Sequence, residues 1–168
     1  IKYLRDSKHL VLTLEPDKKL SLIRWWVDGA FAVHDDFRSH TGSVMTIGKG
    51  AVLSQSTKQK LNTRSSTEAE LVAVDDTMGN LMWAKNFLKW QGYDLNTVLN
   101  QDNTSAMILE RNGKSSSGKR TRHMSIRQFF VTDRIQNGDL SVVYCPTDDM
   151  IADVLTKPLQ GSKFRKFR

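Results

Sequence analysis

The sequence predicts an α/β domain built on a mixed five-stranded sheet, three antiparallel strands followed by two parallel ones, with helices on both faces. Three observations carry this expectation. Three strand-like runs follow one another across short turns, as in an antiparallel meander. A long segment then switches to helical period. Two further strand-like runs come later, each preceded by helix, as parallel pairing requires. The resulting order is β-β-β-α-β-α-α-β-α.

The opening, IKYLRDSKHLVLTLEPDKKL, reads as the end of a helix, a short strand and a polar turn at residues 15–19. The meander strands are residues 20–32, 42–48 (GSVMTIG) and 51–58 (AVLSQSTK). The last two are joined through GKG, a short glycine-rich hairpin signal. Residues 65–92 read as one long helix: Ser65 and Glu68 make a capping box, Gly92 supplies the stop, and Val74, Leu81 and Leu88 recur on one face. TVLNQD (97–102) is a short strand, followed by a helix over 104–111 that Gly113 ends. After the polar, basic loop NGKSSSGKRTR comes a helix over 123–136 that stops at Asn-Gly. LSVVYCP is the final strand, and TDDMIADVLTKPL reads as a closing helix that opens on a Thr/Asp cap and ends before Pro158. There is no internal repeat.

The 168 residues suit one domain, and 39 % apolar residues suffice for a core. The formal charge of +7 favours a polyanionic partner. A single cysteine, Cys145, excludes an internal disulfide, makes a reducing compartment the default, and reads as a small core residue. Trp25, Trp26, Trp83 and Trp90 are expected in the core, because they lie on elements that must pack. No apolar run approaches the roughly 18 residues of a membrane span, and no signal peptide is visible. The chain opens on Ile1 in mid-pattern and reads as a piece of something longer.

Four acids stand where packing does not call for them. Asp28 ends the apolar run WWVD, where an ionised carboxylate costs several kcal/mol unless compensated. Glu70 shares its helix face with Val74, Thr77, Leu81 and Leu88, whereas Glu68 lies about 200° away and is better explained as a cap. Asp102 ends the fourth strand, and Asp153 sits inside the closing helix beside Ile151, Val154 and Leu155. Taken singly, three have bland readings: Asp102 as a helix N-cap, Asp153 as a solvated helix acid, Glu70 as the acid of a second capping box with Thr67. Taken together, carboxylates converging at one end of a sheet stay ionised only beside a strong cation. Hard oxygen ligands suit Mg²⁺ or Mn²⁺, and the Cys/His spacing of zinc is absent. An acid cluster on a basic domain points to metal-assisted phosphodiester chemistry.

At these residues the sequence resembles ribonuclease H, specifically the reverse-transcriptase-linked ribonuclease H domain of copia-type LTR retrotransposons. The motifs WWVDGAFA, SSTEAELVAV, NQDNTSAMIL, RHMSIRQFF and CPTDDMIADVLTKPL occur in the family's order across residues 20–159. The resemblance implies three segments: residues 1–19 as the tail of the preceding reverse-transcriptase connection region, 20–159 as the ribonuclease H domain, and 160–168 as a basic C-terminal tail. It places the family's metal-binding acids on Asp28, Glu70, Asp102 and Asp153. It implies endonucleolytic hydrolysis of the RNA strand of RNA–DNA hybrids with two Mg²⁺ ions, Mn²⁺ being the alternative, set about 3.5–4 Å apart. One ion would activate the attacking water and the other stabilise the leaving 3′ oxygen, with Asp28 bridging them and products carrying 5′-phosphate and 3′-hydroxyl ends. It also implies the polymerase and connection regions of the same polyprotein as partners, and a cytoplasmic site of action within the element's virus-like particles.

One departure from the pattern is that the loop after the last strand, CPTDD, lacks the histidine many ribonucleases H carry there. His123 is the substitute, for product release or proton transfer, set against a plain role as a helix-start residue. His9, His34 and His40 receive no role. Hybrid binding is expected to rest on phosphate and 2′-hydroxyl contacts. The leading patch is the basic loop with Lys114, Lys119, Arg120 and Arg122; Lys58, Lys60 and Arg64 form a second, and Ser65, Ser66 and Asn103 lie near the acids. The bland alternative for the charges is a solvated surface. Two competing functions remain at this level: another metal-dependent nuclease of the same superfamily, and a catalytically silent module supporting a reverse transcriptase.

Overall fold

The computed structural model describes residues 2–113 and 125–168. In chain order the elements are α1 (Lys2–Asp6), β1 (Glu15–Pro16), β2 (Leu22–Ala30), β3 (His40–Thr46), β4 (Gly48–Lys49), β5 (Leu53–Lys58) and α2 (Ser66–Trp90). They continue with β6 (Asn96–Gln101), α3 (Thr104–Asn112), α4 (Ser125–Gln136), β7 (Ser141–Tyr144), a 3₁₀ turn (Thr147–Asp149), α5 (Asp153–Thr156) and α6 (Gly161–Phe167). The main sheet has the order β5-β3-β2-β6-β7. β5, β3 and β2 pair antiparallel, and β6 and β7 add to β2 in parallel, as the sequence predicts.

The central strand β2 reads LIRWWVDGA because it is covered on both faces. Ile23, Trp25 and Val27 pack with Ala73, Val74, Met78 and Leu81 of α2, joined by Met107 of α3 and Val131 of α4. Trp26 points the other way and packs on Cys145, Met150 and Ala152. Alternation along one strand therefore builds two cores, and Cys145 is a buried core residue as expected.

α2 starts as its sequence dictates. The Ser65 hydroxyl accepts from the Glu68 amide at 3.2 Å, and Glu68 reaches back to the Arg64 amide at 2.7 Å. Gly92, at φ +90°, supplies the left-handed turn that ends the helix. Its first turns are enclosed on all sides, from Ala69 through Val74, and its later turns only along Thr77, Met78, Leu81 and Ala84.

Three expectations need correction. Trp83 and Trp90 are not core: they are 62 % and 87 % exposed, because both lie roughly opposite Leu81 around the helix. The expected closing helix is broken into the 3₁₀ turn and the four-residue α5, so Asp153 is the first residue of a helix rather than an interior one. Acids are favoured at that end by the helix dipole, and Pro158 with the extended backbone of Lys157 stops α5 at once. At the N-terminus, residues 10–14 form no strand; the pairing falls instead on Glu15–Pro16 against Gly48–Lys49, where a polar turn and a simple hairpin were expected.

Glu110 of α3 is fully buried, and neither carboxylate oxygen has a hydrogen-bond partner among the described residues. Burial pushes its carboxyl up to about 7, against the opposing charge of Arg111. The raised value means that folding favours the protonated form. Its stabilising effect is complete below the unfolded carboxyl value and is lost as pH rises through about 7. Glu110→Gln should therefore melt higher than the parent at pH 8 and close to it at pH 5. Thermal melts across that range check this, and a pH-independent difference would refute it.

Candidate active site

The site is assembled at the carboxyl end of β2, where two adjacent residues serve opposite faces. Asp28, only 2 % exposed, pairs across the sheet with Gly42 of β3. A side chain at Gly42 would meet α5, with Thr156 Cγ2 2.6 Å and the Ala152 carbonyl oxygen 3.0 Å from an added Cβ. Bare backbone at Gly42 thus lets α5 lie on the sheet and brings two groups over Asp28. The Thr156 hydroxyl donates to its Oδ2, and Lys157 Nζ lies 3.3 Å from its Oδ1.

Gly29 does the same for the other face. An added Cβ would lie 2.6 Å from the Ala69 carbonyl and 2.8 Å from the Glu70 nitrogen, so the start of α2 rests directly on β2. The Glu70 carboxylate accepts from the Gly29 amide at 2.9 Å. Gln59, wholly buried, holds this junction by donating to the Ala69 carbonyl at 2.8 Å and to the Thr41 hydroxyl at 3.1 Å. Glu70 is therefore not spent on a second capping box with Thr67.

Asp102 follows β6 immediately, next to β2 in the sheet. It is not the cap of α3 either: Asn103 caps it, its side chain accepting from the Ala106 amide at 3.0 Å. The Gln101 side chain accepts from the Asp102 and Asn103 amides, and the Thr147 hydroxyl donates to Asp102 Oδ2 at 3.1 Å. One oxygen each from Asp28, Glu70 and Asp102 lies within 4.8 Å of the others. Asp153, 1 % exposed, stands beside this trio rather than in it: Lys157 Nζ is 2.6 Å from its Oδ1 and Lys163 Nζ 3.1 Å from its Oδ2.

The electrostatics follow from crowding. Burial raises the Glu70 carboxyl well above the usual range, and the Asp28 and Asp102 charges add to it. Burial also raises Asp28, with the Thr156 hydroxyl and Lys157 working against the shift and Asp153 and Asp102 adding to it. Burial acts to lower Lys157, but its hydrogen bond to Asp153 and the charge of Asp28 outweigh this and raise it. Three hard oxygen donors, two of them shifted upward by burial and mutual repulsion, match a small divalent cation better than the available side chains do.

Of the other predicted residues, His123, Lys114, Lys119, Arg120 and Arg122 lie outside the described residues. Lys58 is ion-paired with Asp36 at 2.6 Å, and Lys60 and Arg64 are exposed. Ser65 and Asn103 are the N-caps of α2 and α3, and Ser66 opens α2. Sequence reasoning missed Thr156, Lys157, Lys163, Gln59 and the two glycines. It also missed a polar chain in which His34 meets His40 (3.0 Å), His40 meets Ser56 (2.8 Å), and Ser56 donates to the Leu155 carbonyl (2.8 Å).

No family model matches the chain. It is 32 % identical over 169 residues to a retrovirus-related Pol polyprotein of transposon RE1 from Arabidopsis thaliana, covering 99 % of this chain and 11 % of that protein. It is 34 % identical over 131 residues to the corresponding polyprotein of transposon TNT 1-94 from Nicotiana tabacum, covering 77 % of this chain and 10 % of that protein. In fold it is similar to a ribonuclease H1 isolated from compost, with a TM-score of 0.60 at 16 % identity, covering 82 % of this chain and 93 % of that one. The chain has a ribonuclease H fold and is similar in sequence to a segment of retrotransposon Pol polyproteins. It spans about a tenth of the length of the Pol polyproteins it matches. The same compost enzyme in complex with an RNA/DNA hybrid gives a TM-score of 0.59 at 14 % identity, over 79 % of this chain and 92 % of that one. Among the described residues no helix of the domain is long and apolar enough to cross a membrane.

Two glycines, one where β2 meets α2 and one on the exposed side of α2, give a paired test. Gly29→Ala drives a methyl group into the α2 backbone and should cost about 1–3 kcal/mol or more as overpacking. Gly79→Ala, in the same helix with nothing within 4 Å, should stabilise by roughly 0.5–1 kcal/mol. Denaturant melts of both variants check the signs; equal effects would contradict the close approach at Gly29.

Proposed function

We propose that the domain is an endonuclease that hydrolyses the RNA strand of RNA–DNA hybrids during reverse transcription of a retrotransposon. The observation that carries this reading is the convergence of Asp28, Glu70 and Asp102, from three separate elements, at the carboxyl end of the parallel strands. Asp28, Glu70, Asp102 and Asp153 would hold two Mg²⁺ ions, or Mn²⁺ in their place. Ions of this kind supply Lewis-acid activation of water and stabilisation of the leaving 3′ oxygen.

The protein's own groups do the positioning. The Gly29 amide orients Glu70, the Thr156 hydroxyl orients Asp28, and the Thr147 hydroxyl orients Asp102. Asp28, central and nearly fully buried, is the residue suited to serve both ions. Ser65, Ser66 and Asn103 lie at the N-terminal ends of α2 and α3, where backbone amides favour phosphate. Lys58, Lys60, Arg64, Lys119, Arg120 and Arg122 are the cations proposed to follow the hybrid backbone, and His123 is the group proposed to move a proton or release product. The proposed partners are the polymerase and connection regions of the same polyprotein, and the proposed place of action is the cytoplasmic virus-like particle.

The test is cleavage of labelled hybrid, duplex RNA and duplex DNA, with and without Mg²⁺. The parent should cut only the hybrid, and only with metal. Asp28→Asn and Glu70→Gln should lose more than roughly 100-fold, since partners behind metal ligands alone are worth 10–100-fold. Glu68→Gln, which touches only a helix cap, should stay within about twofold, as a capping change affects stability by ~1 kcal/mol. Cutting of duplex DNA, or an Asp28→Asn protein as active as the parent, overturns the assignment. A folded parent that cuts nothing identifies a silent module instead.

A further inference from the structure

We propose that Lys157 is a resident cation, holding the place between Asp28 and Asp153 until a divalent ion displaces it. The inference rests on the metal reading above and concerns how the second ion enters. The ammonium lies 3.3 Å from Asp28 Oδ1 and 2.6 Å from Asp153 Oδ1, so it bridges the two acids. Both carboxylates are almost wholly buried, whereas the Lys157 side chain is 39 % exposed. It therefore has a path to solvent that the acids lack.

The two cation positions of the site are consequently unequal. At Asp28, Glu70 and Asp102 the oxygens face one another, Lys157 bonding only Asp28 of the three among the described residues, and an ion enters against repulsion that it relieves. Between Asp28 and Asp153, an ion must break two charge-assisted contacts before it gains any. Lys163, on the far oxygen of Asp153, can stay where it is and keep that carboxylate aimed at the site. Loading is thus ordered: the trio fills first, and the Lys157 position fills second and more weakly. Once displaced, the ammonium stands on the rim of the site, where the hybrid's phosphates arrive.

Titration of the metal-free chain with Mn²⁺ alone, following free ion by electron paramagnetic resonance, tests this. The parent should bind two ions in separated steps. Lys157→Gln should tighten the second step about tenfold, the scale of a charged hydrogen bond, and the first step by less, since Lys157 touches only Asp28 of the trio. Lys157→Arg, which keeps the charge, should retain the weak second step. A second readout needs no variant: Mg²⁺ should increase acylation of Lys157 by an amine reagent, read by mass spectrometry, while exposed Lys60 stays constant. Two bound ions with an unchanged second step, or Lys157 acylation unaffected by Mg²⁺, overturns the role of Lys157 while leaving the metal reading intact. No bound ion in parent or variant overturns both.

Discussion

Everything at the site depends on how closely α2 is allowed to approach β2 at Gly29. The missing side chain lets helix backbone rest on strand backbone, and the Gly29 amide then fixes the Glu70 carboxylate. Gln59 locks the same junction from β5's end. A carboxylate anchored this way is pre-aimed at Asp28, the neighbour of Gly29 along the strand. The pair Asp28-Gly29 therefore explains why a core strand ends in an acid: one residue carries the charge, and the next brings up the helix that shares it.

The fold was largely legible because its signals are local and mutually consistent. The meander, the capped helix and the two later strands follow from period, turns and caps, and the pairing order agrees with them. The acids were legible for a different reason. An ionisable residue on an apolar strand or helix face violates the local pattern, and that violation is visible without coordinates. The structure brings three of the four together and resolves two bland alternatives, since Asn103 rather than Asp102 caps α3, and Glu70 accepts from Gly29 rather than capping its own helix.

What was illegible depends on contacts between distant segments. Nothing in LTKPL says that Lys157 bridges Asp28, 129 positions earlier, or that Lys163 reaches Asp153 from the C-terminal helix. Gly42 matters only because α5 lands on it. The misplacement of Trp83 and Trp90 has another origin. The face defined by Val74, Leu81 and Leu88 already puts both indoles on the opposite side. Aromatic bulk is a weaker guide to burial than position on the helix.

The division of the four tryptophans has a spectroscopic consequence. Trp25 is wholly enclosed and Trp26 half so, both on the strand that carries Asp28, while Trp83 and Trp90 already meet solvent in the native state. The two solvent-facing indoles contribute a nearly constant background to the emission. Changes in intrinsic fluorescence therefore come from the other two, so the colour of the emitted light follows the integrity of the strand beneath the carboxylates.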